Sequence, residues 1–183
     1  MMPEISLNIL DVAQNSISAG SRLTRIIIEI NSDMDTLQVA IIDNGRGMSP
    51  ELVERVTDPF YTTRTTRKVG LGLPFLKMAA ELTGGSFRIA SEPGKGTSIT
   101  AVFGLSHIDR MPLGDIAVTM TSLIGPNPDF DFILGYSVDE NGFVMDTREM
   151  RRILEGVPLS EPEVLAFVLG YINENIDAIG ARF

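Results

Sequence analysis

Cysteine is absent from all 183 residues, so disulfides and thiolate metal sites are excluded. Histidine occurs once, as His107, and one imidazole cannot build a zinc site. No stretch approaches the roughly 18–20 consecutive apolar residues of a membrane span. The N-terminal run MMPEISLNILDVAQNS lacks the basic start and apolar core of a signal peptide. These absences lead us to expect a soluble, cytoplasmic protein without a membrane partner. What is present is a chain with 44% hydrophobic and 21% charged residues, enough for one good core or for one domain with an appendage.

Charge is distributed unevenly. Residues 1–105 hold 10 Lys and Arg against 11 Asp and Glu, a net of −1, whereas residues 106–183 hold 5 against 13, a net of −8. An acidic C-terminal third would be repelled by a phosphate backbone, which argues against nucleic acid as the main partner. The asymmetry suggests a first domain over residues 1–105 and an acidic accessory region over 106–183, with a seam near GLSHIDRMPLG (104–114).

Periodicity supplies the elements. Ile5, Ile9, Val12, Ala13 and Ile17 predict a helix over 5–18. TRIIIEI (24–30) and LQVAIID (37–43) read as strands around a turn. SPELVERV (49–56) reads as a short helix capped by Ser49 with Pro50 at its first position. A helix over 73–85 carries Pro74 in its first turn and Gly84 past its end, and SFRIAS and TSITAVF are strands around EPGKG. Beyond the seam we expect a helix over 115–124, a hairpin from FDFILGYSV to GFVMD turning at Asn141-Gly142, and helices over 147–156 and 161–178. Helices on one side of a mostly antiparallel sheet make an α+β fold, a two-layer α/β sandwich, with a C-terminal α+β extension.

Three segments carry chemistry. On the first helix Asn8, Asp11, Asn15 and Ser18 share one face. A solvated face is the ordinary reading of such a stripe, but solvated faces carry Lys and Glu. Short carboxylate, amide and hydroxyl groups suit a hard cation such as Mg²⁺, with phosphates completing its shell. In AIIDNGRGMSP (40–50) an apolar strand ends in Asp43, beside Gly45 and Gly47. This is either a tight turn or a carboxylate at the floor of an apolar slot, placed to receive an exocyclic amino group such as that of adenine. In DPFYTTRTTRKVGLGL (58–73) a hydroxyl-rich, basic loop runs into glycines at a helix start. Helix N-termini offer free N–H groups to anions, and Gly70 and Gly72 would let those groups approach phosphates closely.

The order of these segments resembles that of the GHKL (Bergerat-fold) ATPases, most closely the catalytic domain of histidine kinases. LDVAQNSISAG resembles the N box, DNGRGM the first glycine box, DPFYTT the F box, VGLGLPFLKMAAELTGG the second glycine box, and SEPGKGTSITAVF the last glycine-threonine segment. The resemblance implies the Bergerat ATP-binding fold over about residues 5–103, with ATP or ADP and Mg²⁺ as ligands. It implies that Asn15 ligates Mg²⁺, that Asp43 accepts the adenine amino group, that Gly45 and Gly47 line the base pocket, and that Thr97 helps hold the base through water. Gly70, Leu71 and Gly72 would give backbone to the phosphates under a lid of residues 60–69, with Arg64 and Lys68 among the nucleotide-binding residues.

The departures from the histidine kinase pattern matter as much. A phospho-accepting histidine hairpin would precede the N box, and with that box beginning at Leu10 we expect none; His107, in LSHIDRM, does not resemble such an acceptor. Ser18 stands where histidine kinases often have a basic residue. Asp11 stands where the mismatch-repair and chaperone branch has a glutamate general base. Asp11 is therefore the candidate catalytic residue, activating water, activating a protein hydroxyl, or supporting the Mg²⁺ shell. Three functions follow: a stand-alone kinase passing the γ-phosphate to a partner protein in signalling, a slow ATPase acting as a conformational switch, or a nucleotide-binding adaptor without chemistry. The oligomeric state leaves no mark on the sequence.

Overall fold

The computed structural model describes residues 4–57 and 72–180. The chain runs α1 (Ile5–Ser18), β1 (Leu23–Asn31), β2 (Thr36–Asp43), α2 (Pro50–Arg55), α3 (Gly72–Leu82), β3 (Ser86–Glu92), β4 (Gly96–Gly104), α4 (Ile116–Ile124), β5 (Asp131–Val138), β6 (Asn141–Asp146), α5 (Thr147–Ile153) and α6 (Pro162–Ala178). The strands form one six-stranded sheet in the order β3-β4-β2-β1-β5-β6. Neighbours are antiparallel except β1 and β5, which run parallel with Ile26 opposite Leu134. The fold is the expected α+β sandwich of a helical layer on a sheet.

Alternation along the strands decides which face is covered. Ile26, Ile28 and Ile30 of β1, Leu37, Val39 and Ile41 of β2, and Phe132 and Leu134 of β5 are buried, while Arg25, Glu29 and Arg88 are exposed on the other face. The buried face meets Ile5, Ile9 and Val12 of α1, Leu76 and Ala80 of α3, Met120 and Leu123 of α4, and Val164, Val168 and Ile172 of α6 in one continuous core. α1 packs on α3 at one side and on α4 at the other, and α4 packs on α6. The acidic third of the chain therefore extends the same sheet and the same helical layer. On α6 only one stripe is buried, and Phe167 is 64% exposed.

Local signals account for most helix ends. Ser49 Oγ accepts from the Leu52 N–H at the start of α2, with Pro50 at the first position. Asp115 Oδ1 accepts from the Val118 N–H at 2.8 Å and caps α4. α1 has no side-chain cap. Its first amides, Ile5 and Ser6, donate instead to the carbonyls of Pro112 and Leu113, so its start is closed by a distant segment.

The hairpin turn differs from the expectation. Val138 pairs with Asn141, so the turn is Asp139-Glu140, and Asn141-Gly142 opens β6. Asp139 takes a left-handed φ of 52°, which Asn-Gly would otherwise supply. Its carboxylate is held by the Ser32 N–H at 2.7 Å and by the Ser32 hydroxyl at 3.0 Å. That tie to the β1–β2 turn sets the register against the local Asn-Gly signal.

Candidate functional site

Asp43 ends β2, and its side chain is buried against α1. The Ser16 hydroxyl donates to Asp43 Oδ2 at 2.9 Å, and the Gly45 N–H donates to Oδ1 at 2.8 Å. Two neutral donors fix the carboxylate without neutralising it, so it remains a strong acceptor. Gly45 is close-packed: a Cβ there would lie 3.0 Å from Asp43 Oδ1 and 3.1 Å from Ala19. Across the ladder Asp43 faces Thr97 on β4.

The wall beside Asp43 is backbone on backbone. Gly47 has φ 66°, and a Cβ there would come 2.0 Å from the Glu92 carbonyl oxygen. Gly96 has φ 106°, and a Cβ there would come 2.0 Å from the Asp43 carbonyl oxygen. No other residue fits either place without moving main chain. Ser91 organises the polar side of this wall. Its hydroxyl donates to the Gly96 carbonyl at 2.8 Å and accepts from the Met48 N–H at 2.9 Å. With that proton spent, the 2.9 Å contact with Thr97 must be donated by Thr97, whose own oxygen keeps its acceptor capacity.

Asn44 is explained without a ligand. Its amide oxygen accepts from the Ser21 hydroxyl and from the N–H groups of Arg22 and Leu23, at 2.9, 2.9 and 3.0 Å. It pins the link between α1 and β1 and so holds Asp43 against Ser16.

The middle of α1 meets α3. Asp11 Oδ2 is fully buried and has no hydrogen-bond partner among the described residues. A Cβ on Gly72, the first residue of α3, would lie 2.1 Å from that oxygen. Glycine at 72 thus does more than clear a helix mouth: it makes room for the Asp11 carboxylate. Asn15 lies half-buried one turn after Asp11 and one residue before Ser16. The helix rise of 1.5 Å per residue puts roughly 7.5 Å between the levels of Asp11 and Ser16.

The fold therefore gathers Asp43, Gly45, Gly47 and Thr97 past the C-terminal end of α1 and sets Gly72 against Asp11 further back on the same helix, with Asn15 between Asp11 and Ser16 in sequence. Arg64, Lys68, Gly70, Leu71 and the proposed lid over 60–69 lie outside the described residues. The polar stripe is not uniform. Asn8 is wholly buried, with its amide donating to the Glu4 carbonyl at 3.1 Å, and the exposed Ser18 gives its hydroxyl to the Gln14 carbonyl at 2.9 Å. Ser16, Ser91 and Gly96 were missed by sequence reasoning. Ser16 falls on the buried side of α1, where a serine reads as a small core residue. Gly96 was legible as part of a turn, not as contact with Asp43.

Among the described residues no group of three or more His, Cys, Asp or Glu side chains forms a metal cluster. Mg²⁺ bound to nucleotide needs only one or two protein oxygens, because phosphates and water supply the rest. The unpartnered Asp11 oxygen and the Asn15 amide on the same helix fit that requirement.

Residues 4–107 match the family described as Histidine kinase-, DNA gyrase B-, and HSP90-like ATPase. The chain is 35% identical over 108 residues to the Sensor protein kinase FleS of Pseudomonas aeruginosa, an alignment covering 59% of this chain and 26% of FleS. It is 31% identical over 98 residues to Sporulation kinase D of Bacillus subtilis, covering 54% of this chain and 19% of that kinase. The matched part thus spans about a quarter or less of these relatives. In three dimensions it is similar to the crystal structure of the N-terminal domain of a DNA repair protein, with a TM-score of 0.53 at 14% identity, covering 78% of this chain and 51% of the other. Sequence and fold agree, and the chain belongs to the histidine kinase-, DNA gyrase B- and HSP90-like ATPases, with an ATP-binding module of the kinase type over residues 4–107.

Proposed function

We propose that this protein is a kinase-type enzyme that transfers the γ-phosphate of Mg-ATP to a hydroxyl of a partner protein in signalling. Asp43 would accept the adenine amino group, with Gly45, Gly47 and Thr97 around the base. Gly70, Leu71 and Gly72 would present backbone to the phosphates, with Arg64 and Lys68 nearby. The observation that carries the reading is the buried Asp11 Oδ2, without a partner among the described residues, against Gly72 at the phosphate end of the proposed cleft. A carboxylate oxygen held in this way is suited to accept a proton from an attacking hydroxyl. Asn15 would hold Mg²⁺, whose charge, when it is bound, offsets that of the phosphates. The kinase names of the relatives favour a protein acceptor.

The same Asp11 oxygen supports a second reading, slow hydrolysis with water as the attacking group and nucleotide state as a conformational switch. Incubation of the protein with γ-labelled ATP and candidate partner proteins separates the two. Label on a partner is the expected result. Label released as phosphate, with none on protein, would favour the switch. Retention of all label on ATP, despite tight binding, would overturn both and leave an adaptor.

A further inference from the structure

Away from the nucleotide site, a pocket of about 410 Å³ opens where the start of α1, the start of α4, β5 and α6 converge. Its volume is that of a small-ligand site. Its charged side chains are all acidic, and Asn173 adds one amide. Glu4 and Asp115 contribute carboxylates, and neither forms an ion pair among the described residues. Tyr136 lines the same pocket; the residue is 3% exposed, yet its hydroxyl has no hydrogen-bond partner among the described residues. Leu113, Ile116 and Ile176 supply apolar walls.

Two helices begin here, which would ordinarily suggest an anion site. Three of the first-turn amides are already used. The Ile5 and Ser6 amides donate to Pro112 and Leu113, and the Val118 amide donates to Asp115. The fixed charge in the pocket is negative: the Glu4 and Asp115 carboxylates, with the Tyr136 phenol and the Asn173 amide, lie on or beside the acidic third of the chain, whose net charge of −8 raises the local concentration of cations. A bare metal ion would leave the apolar walls unused. We propose that this pocket binds an alkylammonium group, its charged head between Glu4, Asp115 and Tyr136 and its hydrocarbon stem against Leu113, Ile116 and Ile176. The head group could be carried by a free amine or by a lysine side chain of a partner, and the chemistry of recognition is shared. The Tyr136 phenol, pushed up to about 12 by burial, stays protonated at neutral pH and accepts through its oxygen.

The test is a titration of the ¹⁵N-labelled full-length protein, followed by amide shifts, with n-butylammonium chloride, with sodium butyrate, and with a capped pentapeptide Gly-Gly-Lys-Gly-Gly. Saturable shifts centred on Gly114, Asp115 and Tyr136 are expected with n-butylammonium and not with butyrate. Glu4→Gln and Tyr136→Phe should each weaken that binding by about threefold or more, from loss of one hydrogen bond to a charged group. A peptide that binds as tightly as n-butylammonium assigns the pocket to a partner's lysine; a peptide that does not bind assigns it to a free amine. Equal shifts from butyrate, no saturation with either cation, or unchanged affinity in both variants would overturn the proposal.

Discussion

Asp43 concentrates the consequences of a single side chain. In Asp43→Asn the amide oxygen keeps the Gly45 N–H, and the amide NH₂ turns to the Ser16 hydroxyl, which must then accept. The acceptor offered to an adenine amino group is lost, and a charge-assisted bond of roughly 1.5–3 kcal/mol goes with it, at least about tenfold in affinity. Calorimetric titration with ATP should show this loss; equal affinities would remove Asp43 from base recognition. Ser16→Ala removes one donor that aims the carboxylate and should weaken ATP by a smaller factor, about threefold. Asp11→Asn keeps size and removes basicity. The proposed base role predicts a fall of about 10²–10⁴-fold in turnover with ATP affinity little changed. Asn15→Ala should abolish Mg²⁺-dependent turnover altogether. If Asp11→Asn instead loses Mg²⁺ affinity and recovers at high Mg²⁺, Asp11 supports the metal and is not a base.

At the scale of elements, one hydroxyl joins β5 to α5. Thr147 is fully buried at the first position of α5, and its Oγ1 accepts from the Phe132 N–H at 2.9 Å and donates to the Phe132 carbonyl at 3.2 Å. Thr147→Val keeps the shape and leaves both main-chain groups of Phe132 without that partner. The expected cost is about 2 kcal/mol in urea denaturation, with Thr147→Ser recovering much of it. By contrast α2 buries no residue and rests on its Ser49 cap, so its amides should exchange far faster than those of α1.

The whole molecule behaves as one sheet under one helical layer. β1 lies between β2 and β5, and α1 lies between α3 and α4. A chain ended at residue 105 would leave one edge of β1 unpaired and α1 uncovered on its α4 side. We expect it to aggregate or to lose its cooperative thermal transition in circular dichroism, while the full chain melts in one step. Stability should also depend on alkaline pH through Tyr136. Its folded pKa of about 12 lies above the ordinary tyrosine value because burial disfavours the phenolate. The folded state holds that proton longer, so this contribution is complete below about pH 10 and is lost as pH rises toward 12. A shift of this size corresponds to about 2–3 kcal/mol at its limit. Denaturation at pH 9 and pH 11 should show a steeper loss in the wild type than in Tyr136→Phe.

Much of this was decided locally. The spacing of Ile5, Ile9, Val12 and Ala13 determined a helix over 5–18, because one apolar stripe at a 3.6-residue period has one way to be buried. Ser49-Pro50 determined the start of α2, and alternation in TRIIIEI and LQVAIID determined which side of β1 and β2 faces the helices. Asp43 with Gly45 and Gly47 drew attention in the sequence because their chemistry stands out against apolar surroundings. Contacts between distant segments were not legible. The hairpin turned at Asp139-Glu140 because Ser32, on another turn, holds the Asp139 carboxylate. Ser16 became the donor to Asp43 only when α1 crossed the end of β2, and Gly72 met Asp11 only when α3 docked on α1. Local periodicity reports what a segment must bury; which side chain meets which across the core is set when the layers pack, and only the tertiary structure holds that information.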